Sequence, residues 1–120
     1  MQARSFRESL SFALAGIRYT WETQRNFRLH VLTGSLILIL SYFMRLTSGE
    51  LLLVGSAIFL VLIMELLNTA LETTVDLVTQ EFHPLAFVAK NLGAAAVLLA
   101  AVYALLVGVV VFGRRIVNFF

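Results

Sequence analysis

Glu65, Asn68, Glu72 and Asp76 follow directly on an apolar run, Leu51 to Met64. On a helix advancing 100° per residue these four fall within roughly 80° of arc, a single polar stripe on one face. Ionisable groups on a membrane-grade segment are costly and mark functional sites by default. Mg²⁺ is held by one or two carboxylates together with phosphate oxygens, so an acidic stripe at a membrane surface has the composition of a magnesium–nucleotide site. Glu65 has apolar neighbours on both sides. It reads either as a general base near an alcohol or as a buried acid paired across a subunit interface. Asp76 alone reads equally well as a solvated helix-end acid.

Further polar groups lie on the same side of the membrane. Glu81, Phe82 and His83 fall in a connection expected over 79–89. Lys90 and Asn91 are expected to open the last span, at its positive end, where phosphates are stabilised. Gln24, Asn26, Arg28 and His30 lie where an N-terminal segment meets the first span. Together they offer metal ligands, a cation for phosphate and a carboxylate base. That set suits phosphoryl transfer to a lipid head group, a reaction that depends on positioning and charge stabilisation. Singly, each has a plainer reading. His30 and His83 serve as hydrogen-bonding loop or interface residues, Lys90 as an interfacial snorkeller, and Gly93 with Ala94–Ala96 as small residues for close helix packing in lipid. The clustering carries the argument.

The elements that must position these residues follow from composition. The chain of 120 residues is 60% hydrophobic and 13% charged, against about 45–50% and 25% in soluble domains. An all-α membrane protein of one domain, 1–120, is expected. The pattern predicts an N-terminal amphipathic surface helix over about 4–26, with Leu10, Leu14, Ile17, Trp21 and, less well, Phe6 near one face. Three transmembrane helices are predicted over about 27–45, 51–78 and 90–112, the last containing an uncharged stretch, Leu92 to Phe112. With no cysteine, thiolate chemistry and disulfides are excluded. The first 30 residues lack the uninterrupted apolar stretch of a cleavable signal peptide. No nucleic-acid partner is expected, and the basic N-terminal segment suits anionic lipid heads. Arg4, Arg7, Arg18, Arg25 and Arg28 are five of nine basic residues and put the N-terminus on the cytoplasmic side. Arg114 and Arg115 then fall outside, against that rule.

The stretch Glu65-Leu-Leu-Asn-Thr-Ala-Leu-Glu72, followed by Val75-Asp76, resembles the small prokaryotic integral-membrane lipid kinases, diacylglycerol kinase and undecaprenol kinase. Gly16-Ile-Arg18, Trp21, Arg25-Asn-Phe27, Glu81-Phe-His-Pro-Leu85 and Ala89-Lys90 extend the resemblance over about 16–97. It implies a homotrimer in the bacterial cell membrane, using ATP and Mg²⁺ to phosphorylate a membrane lipid alcohol at the cytoplasmic face. It makes Glu65 the base and Glu72, with Gln24, the metal ligands. Asn68, Asp76, Glu81, Phe82, His83, Lys90 and Asn91 become the nucleotide-binding set, and Trp21, Asn26, Arg28 and His30 the lipid-facing set. The chain departs from the family pattern at two positions. Gln24 stands where many members have a second metal-binding Glu, and Asn91 where they have Asp. The alternative they keep open is a weak or inactive member, binding nucleotide or lipid, or a channel-like oligomer.

Overall fold

The computed structural model describes residues 5–120, so the expected start of the surface helix at Arg4 lies outside the described residues. Four helices follow in order: α1 (Phe6–Thr23), α2 (Arg25–Phe43), α3 (Ser48–Val78) and α4 (Pro84–Phe119). The described residues contain three helices, α2, α3 and α4, long and apolar enough to cross a membrane.

α1 starts where Ser5 caps it, the Ser5 side chain accepting the Glu8 amide at 3.3 Å. Its apolar residues Leu10, Leu14, Ile17 and Trp21 stay exposed within the protomer, as an interfacial helix facing lipid requires. On its polar side Arg18 pairs with Glu22 at 2.8 Å. That hydrogen bond and the Glu22 charge push the guanidinium further toward its protonated form.

The surface helix was expected to continue to about residue 26, and it does not. Gln24 takes an extended conformation, φ −114° and ψ 107°, between α1 and α2. Two devices hold the break. Thr20 and Thr23 donate their hydroxyls back to Gly16 and Tyr19 carbonyls, an arrangement that competes with regular helix geometry. Arg28 then reaches back from α2 and donates from Nη1 to the Trp21 carbonyl at 2.6 Å and to that of Glu22 at 3.3 Å. A cation on the last carbonyls of a helix satisfies its orphan acceptors and its dipole.

α2 ends in a Schellman arrangement. Arg45 sits in the left-handed region at φ 54°, its amide donates to Tyr42, and the Leu46 amide donates to Ser41. Two residues on, Thr47 opens α3 with a reciprocal capping box to Glu50. The first span therefore ends, and the second begins, within a few residues of the expected 45 and 51. α2 meets α3 at Gly34, where an added Cβ would lie 2.7 Å from Ile58 Cγ2.

α3 spans 31 residues, about 46 Å at 1.5 Å per residue, longer than the ~30 Å hydrocarbon core. Its surplus carries the acidic stripe toward the interface. One face, Val54, Ala57, Val61, Glu65 and Thr69, is buried. α4 runs back antiparallel and makes the most extensive contact with α3. It begins at Pro84, well before the expected residue 90. Proline's fixed φ and missing N–H suit the first helical position, and His83 Nδ1 caps the turn by accepting the Leu85 amide at 3.1 Å. Lys90 and Asn91 therefore lie in the second turn of α4 and not on its free amides.

Candidate functional site

The polar groups converge at one end of the bundle, where α1 breaks into α2 and α3 turns into α4. Glu65 heads the stripe and is 5% exposed. Its Oε1 lies 3.3 Å from His30 Nε2 on α2. One turn further, Asn68 Nδ2 donates to Glu72 Oε1 at 3.4 Å. At the end of α3, Asp76 Oδ1 accepts from Lys90 Nζ at 2.7 Å. The stripe is thus a graded series, from a buried carboxylate at Glu65 through half-buried Glu72 to an exposed acid already paired with a lysine.

Asn68 is held between Glu72 and α4. Its Oδ1 is buried with no hydrogen-bond partner, and α4 approaches it at Gly93. A Cβ at position 93 would collide with Asn68 Oδ1 and lie 2.8 Å from Leu71 Cδ2. Gly93 leaves the room that Asn68 occupies. The Asn68 amide therefore turns its Oδ1 to the α4 backbone and its Nδ2 to the Glu72 carboxylate. Among the described residues no three acidic or histidine side chains gather closely enough to cage a metal. The donors suit Mg²⁺ arriving with phosphate oxygens, which needs only one or two carboxylates.

The remaining candidates divide. Gln24 sits at the α1–α2 break, its amide 3.5 Å from Thr23 Oγ1, and no hydrogen bond joins it to Glu72 among the described residues. Glu81, Phe82 and His83 form the exposed connection into α4, where the Glu81 amide donates to Thr79 Oγ1. Asn91, Trp21 and Asn26 are also exposed. Arg28, expected to face lipid, spends its Nη1 on the α1 carbonyls. His30, assigned to the same group, is turned to Glu65. Neither role was legible from local sequence, because each depends on how α2 docks after the break. Gly93, read from the sequence as a small residue for close helix packing, is where α4 closes on Asn68 and Leu71 of α3.

At the opposite end Arg115 Nε donates to Glu50 Oε2 at 3.1 Å, and Arg115 Nη2 donates to Glu50 Oε1. One of the two far-side arginines that ran against the charge rule is thereby neutralised by its own chain.

A helical membrane protein with three spans and a polar, acidic site at one end of the bundle is the class these features define. The chain belongs to the prokaryotic diacylglycerol kinase family, which it matches over residues 11–112. It is similar to a diacylglycerol kinase of Synechocystis sp., 46% identical over 101 residues. That alignment takes in 83% of this chain and 58% of the Synechocystis protein. It is 38% identical over 107 residues to the undecaprenol kinase of Bacillus subtilis, covering 89% and 87% of the two chains. The diacylglycerol kinase of Escherichia coli K12 is 30% identical over 99 residues, with 82% and 81% covered.

Proposed function

We propose that the protein is a lipid kinase that transfers the γ-phosphoryl group of ATP to the hydroxyl of a membrane lipid alcohol, undecaprenol or diacylglycerol. The reading rests above all on Glu65, a buried carboxylate at the head of a polar stripe on a membrane helix. The lipid tail stays in the bilayer while its hydroxyl reaches Glu65. Glu65 accepts the hydroxyl proton as the new oxygen–phosphorus bond forms and the bond to the β–γ bridging oxygen breaks, releasing ADP.

Glu72, with Gln24, would hold Mg²⁺. When bound, the ion neutralises charge on the phosphate oxygens. Asn68, whose Nδ2 donates to Glu72 Oε1, helps to hold that carboxylate in place. Lys90, paired with Asp76 in the free protein, turns toward the developing phosphate charge. Glu81, Phe82, His83 and Asn91 border the nucleotide, and Trp21 and Asn26 border the lipid. The working unit is a homotrimer in the cell membrane, with the N-terminus and the site facing the cytoplasm. The arginines of α1 and early α2 support that orientation, as does the pairing of Arg115 with Glu50. The names carried by the relatives support a lipid alcohol as acceptor. A cation path through an oligomer leaves Lys90 without a role.

The test is transfer of radiolabelled γ-phosphate from Mg-ATP in mixed micelles, with undecaprenol and diacylglycerol offered separately. Label in at least one lipid is expected, dependent on Mg²⁺. Glu65→Gln should lower it by about 10²–10⁴-fold, the usual contribution of a general base. No label in either lipid from intact protein overturns the kinase reading. Wild-type turnover in Glu65→Gln overturns the assigned base.

A further inference from the structure

Glu65 is nearly closed off from solvent, and a buried carboxylate persists only where a partner compensates its desolvation. The nearest polar partner is His30, whose Nε2 lies 3.3 Å from Glu65 Oε1. We infer that His30 is a positioning residue for Glu65, holding the carboxylate in place for the lipid hydroxyl, and not a lipid contact. This inference rests on the lipid-kinase reading above.

The placement of position 30 carries the argument. Phe27, Gly34 and Ser41 are the buried residues of α2. At 100° per residue they and His30 fall within about 60° of arc. His30 therefore lies at the edge of the packed face of α2, its side chain 36% exposed, while Leu29 and Leu32 face outward. The phase of that face is set locally: Gln24 breaks the chain, and Arg28 locks the start of α2 onto the α1 carbonyls. Phe27 then buries, and His30 follows one turn later against α3.

The surroundings leave the pair to itself. From α3, Glu65 faces His30, and the neighbouring Thr69 hydroxyl is spent on the Glu65 carbonyl at 2.8 Å. His30 also opens onto a groove of about 640 Å³ between α2, α3 and α4. Its other lining residues, among them Val61, Ala101 and Ala104, are apolar or glycine. Among the described residues, none that α4 contributes to this groove is titratable. A histidine suits this position because a neutral imidazole can still donate one hydrogen bond. It can orient the carboxylate without the permanent charge of an arginine.

The inference separates from a lipid-contact role by the kinetic constant that changes. His30→Leu should lower kcat by about 10²-fold, the scale of a misplaced catalytic group, with KM for lipid and for ATP little changed. His30→Gln, which keeps an N–H donor, should recover much of that loss. A second readout needs no turnover. The chain has two histidines, so nitrogen-15 labelling of histidine gives two imidazoles, assigned through His83→Gln. Glu65→Gln should shift the His30 ring nitrogens and leave those of His83 in place. A raised lipid KM at unchanged kcat in His30→Leu overturns the inference, as do His30 resonances indifferent to Glu65→Gln. An inactive wild type overturns the kinase reading and the positioning role with it. An active wild type showing either adverse result overturns the role of His30 alone.

Discussion

Lys90 Nζ stands 2.7 Å from Asp76 Oδ1, so the cation best placed for phosphate is held by a carboxylate from the neighbouring helix. The same two helices are joined at their other end by Glu50 and Arg115. The antiparallel α3–α4 pair is therefore fixed in register by an ion pair at each end, one at the site and one remote from it. The near pair is about half exposed and so contributes little to stability. Its importance lies in where it parks the lysine.

Lys90→Gln should leave the protein folded and lower kcat/KM for ATP by about 10²-fold, the scale of losing one charge-stabilising donor in transfer chemistry. Asp76→Asn is expected to have a smaller effect, because it frees the lysine without removing it. Initial rates over a range of Mg-ATP concentrations compare the two. Equal losses in both variants would mean that the pair acts as a unit.

Gly93→Ala tests the crossing of α3 and α4. The added methyl meets the side-chain ends of Asn68 and Leu71, which must shift to admit it. Overpacking of this kind costs about 1–3 kcal/mol. The thermal midpoint in detergent should fall, and KM for Mg-ATP should rise because Asn68 is displaced beside Glu72. A variant with a lowered midpoint and unchanged nucleotide kinetics would separate Asn68 from the nucleotide site.

These residues also show what could be read from the chain and what could not. The spans were legible because a bilayer demands long apolar segments, and the stripe because four polar residues at helical spacing break one. The ends were not. The early start of α4 depends on Pro84 and the His83 cap, yet the apolar run that signals the span begins only at Leu92. The break at Gln24 has no glycine or proline to announce it and is held by Arg28 from the next helix. His30–Glu65 and Glu50–Arg115 join residues far apart in sequence, and no local pattern encodes them.

Arg115→Gln should lower the thermal midpoint by a few degrees while leaving turnover per folded molecule unchanged, since the site lies at the other end of the bundle. Removing one partner strands the Glu50 carboxylate in a half-buried setting. The double variant Glu50→Gln with Arg115→Gln should recover part of the loss, because a neutral pair leaves no uncompensated charge. Melting curves of the three proteins, read beside their specific activities, decide it. A fall in kcat at unchanged midpoint would mean that the remote pair communicates with the site.

Gln24→Glu addresses the departure from the family pattern at the break between α1 and α2. As a metal ligand, Gln24 would offer Mg²⁺ a neutral amide oxygen where a carboxylate would offer charge. Hard divalent cations favour carboxylates, and affinity follows the number of charged ligands. Glu at position 24 would stand at the positive end of α2 and at the negative end of α1, so the two helix dipoles act on its charge in opposite senses. The variant should fold as well as the wild type and reach half-maximal rate at lower Mg²⁺, with kcat equal or higher. Magnesium titration at fixed ATP is the measurement. An unchanged magnesium requirement would place residue 24 outside the metal site, leaving Glu72 and phosphate oxygens to hold the ion.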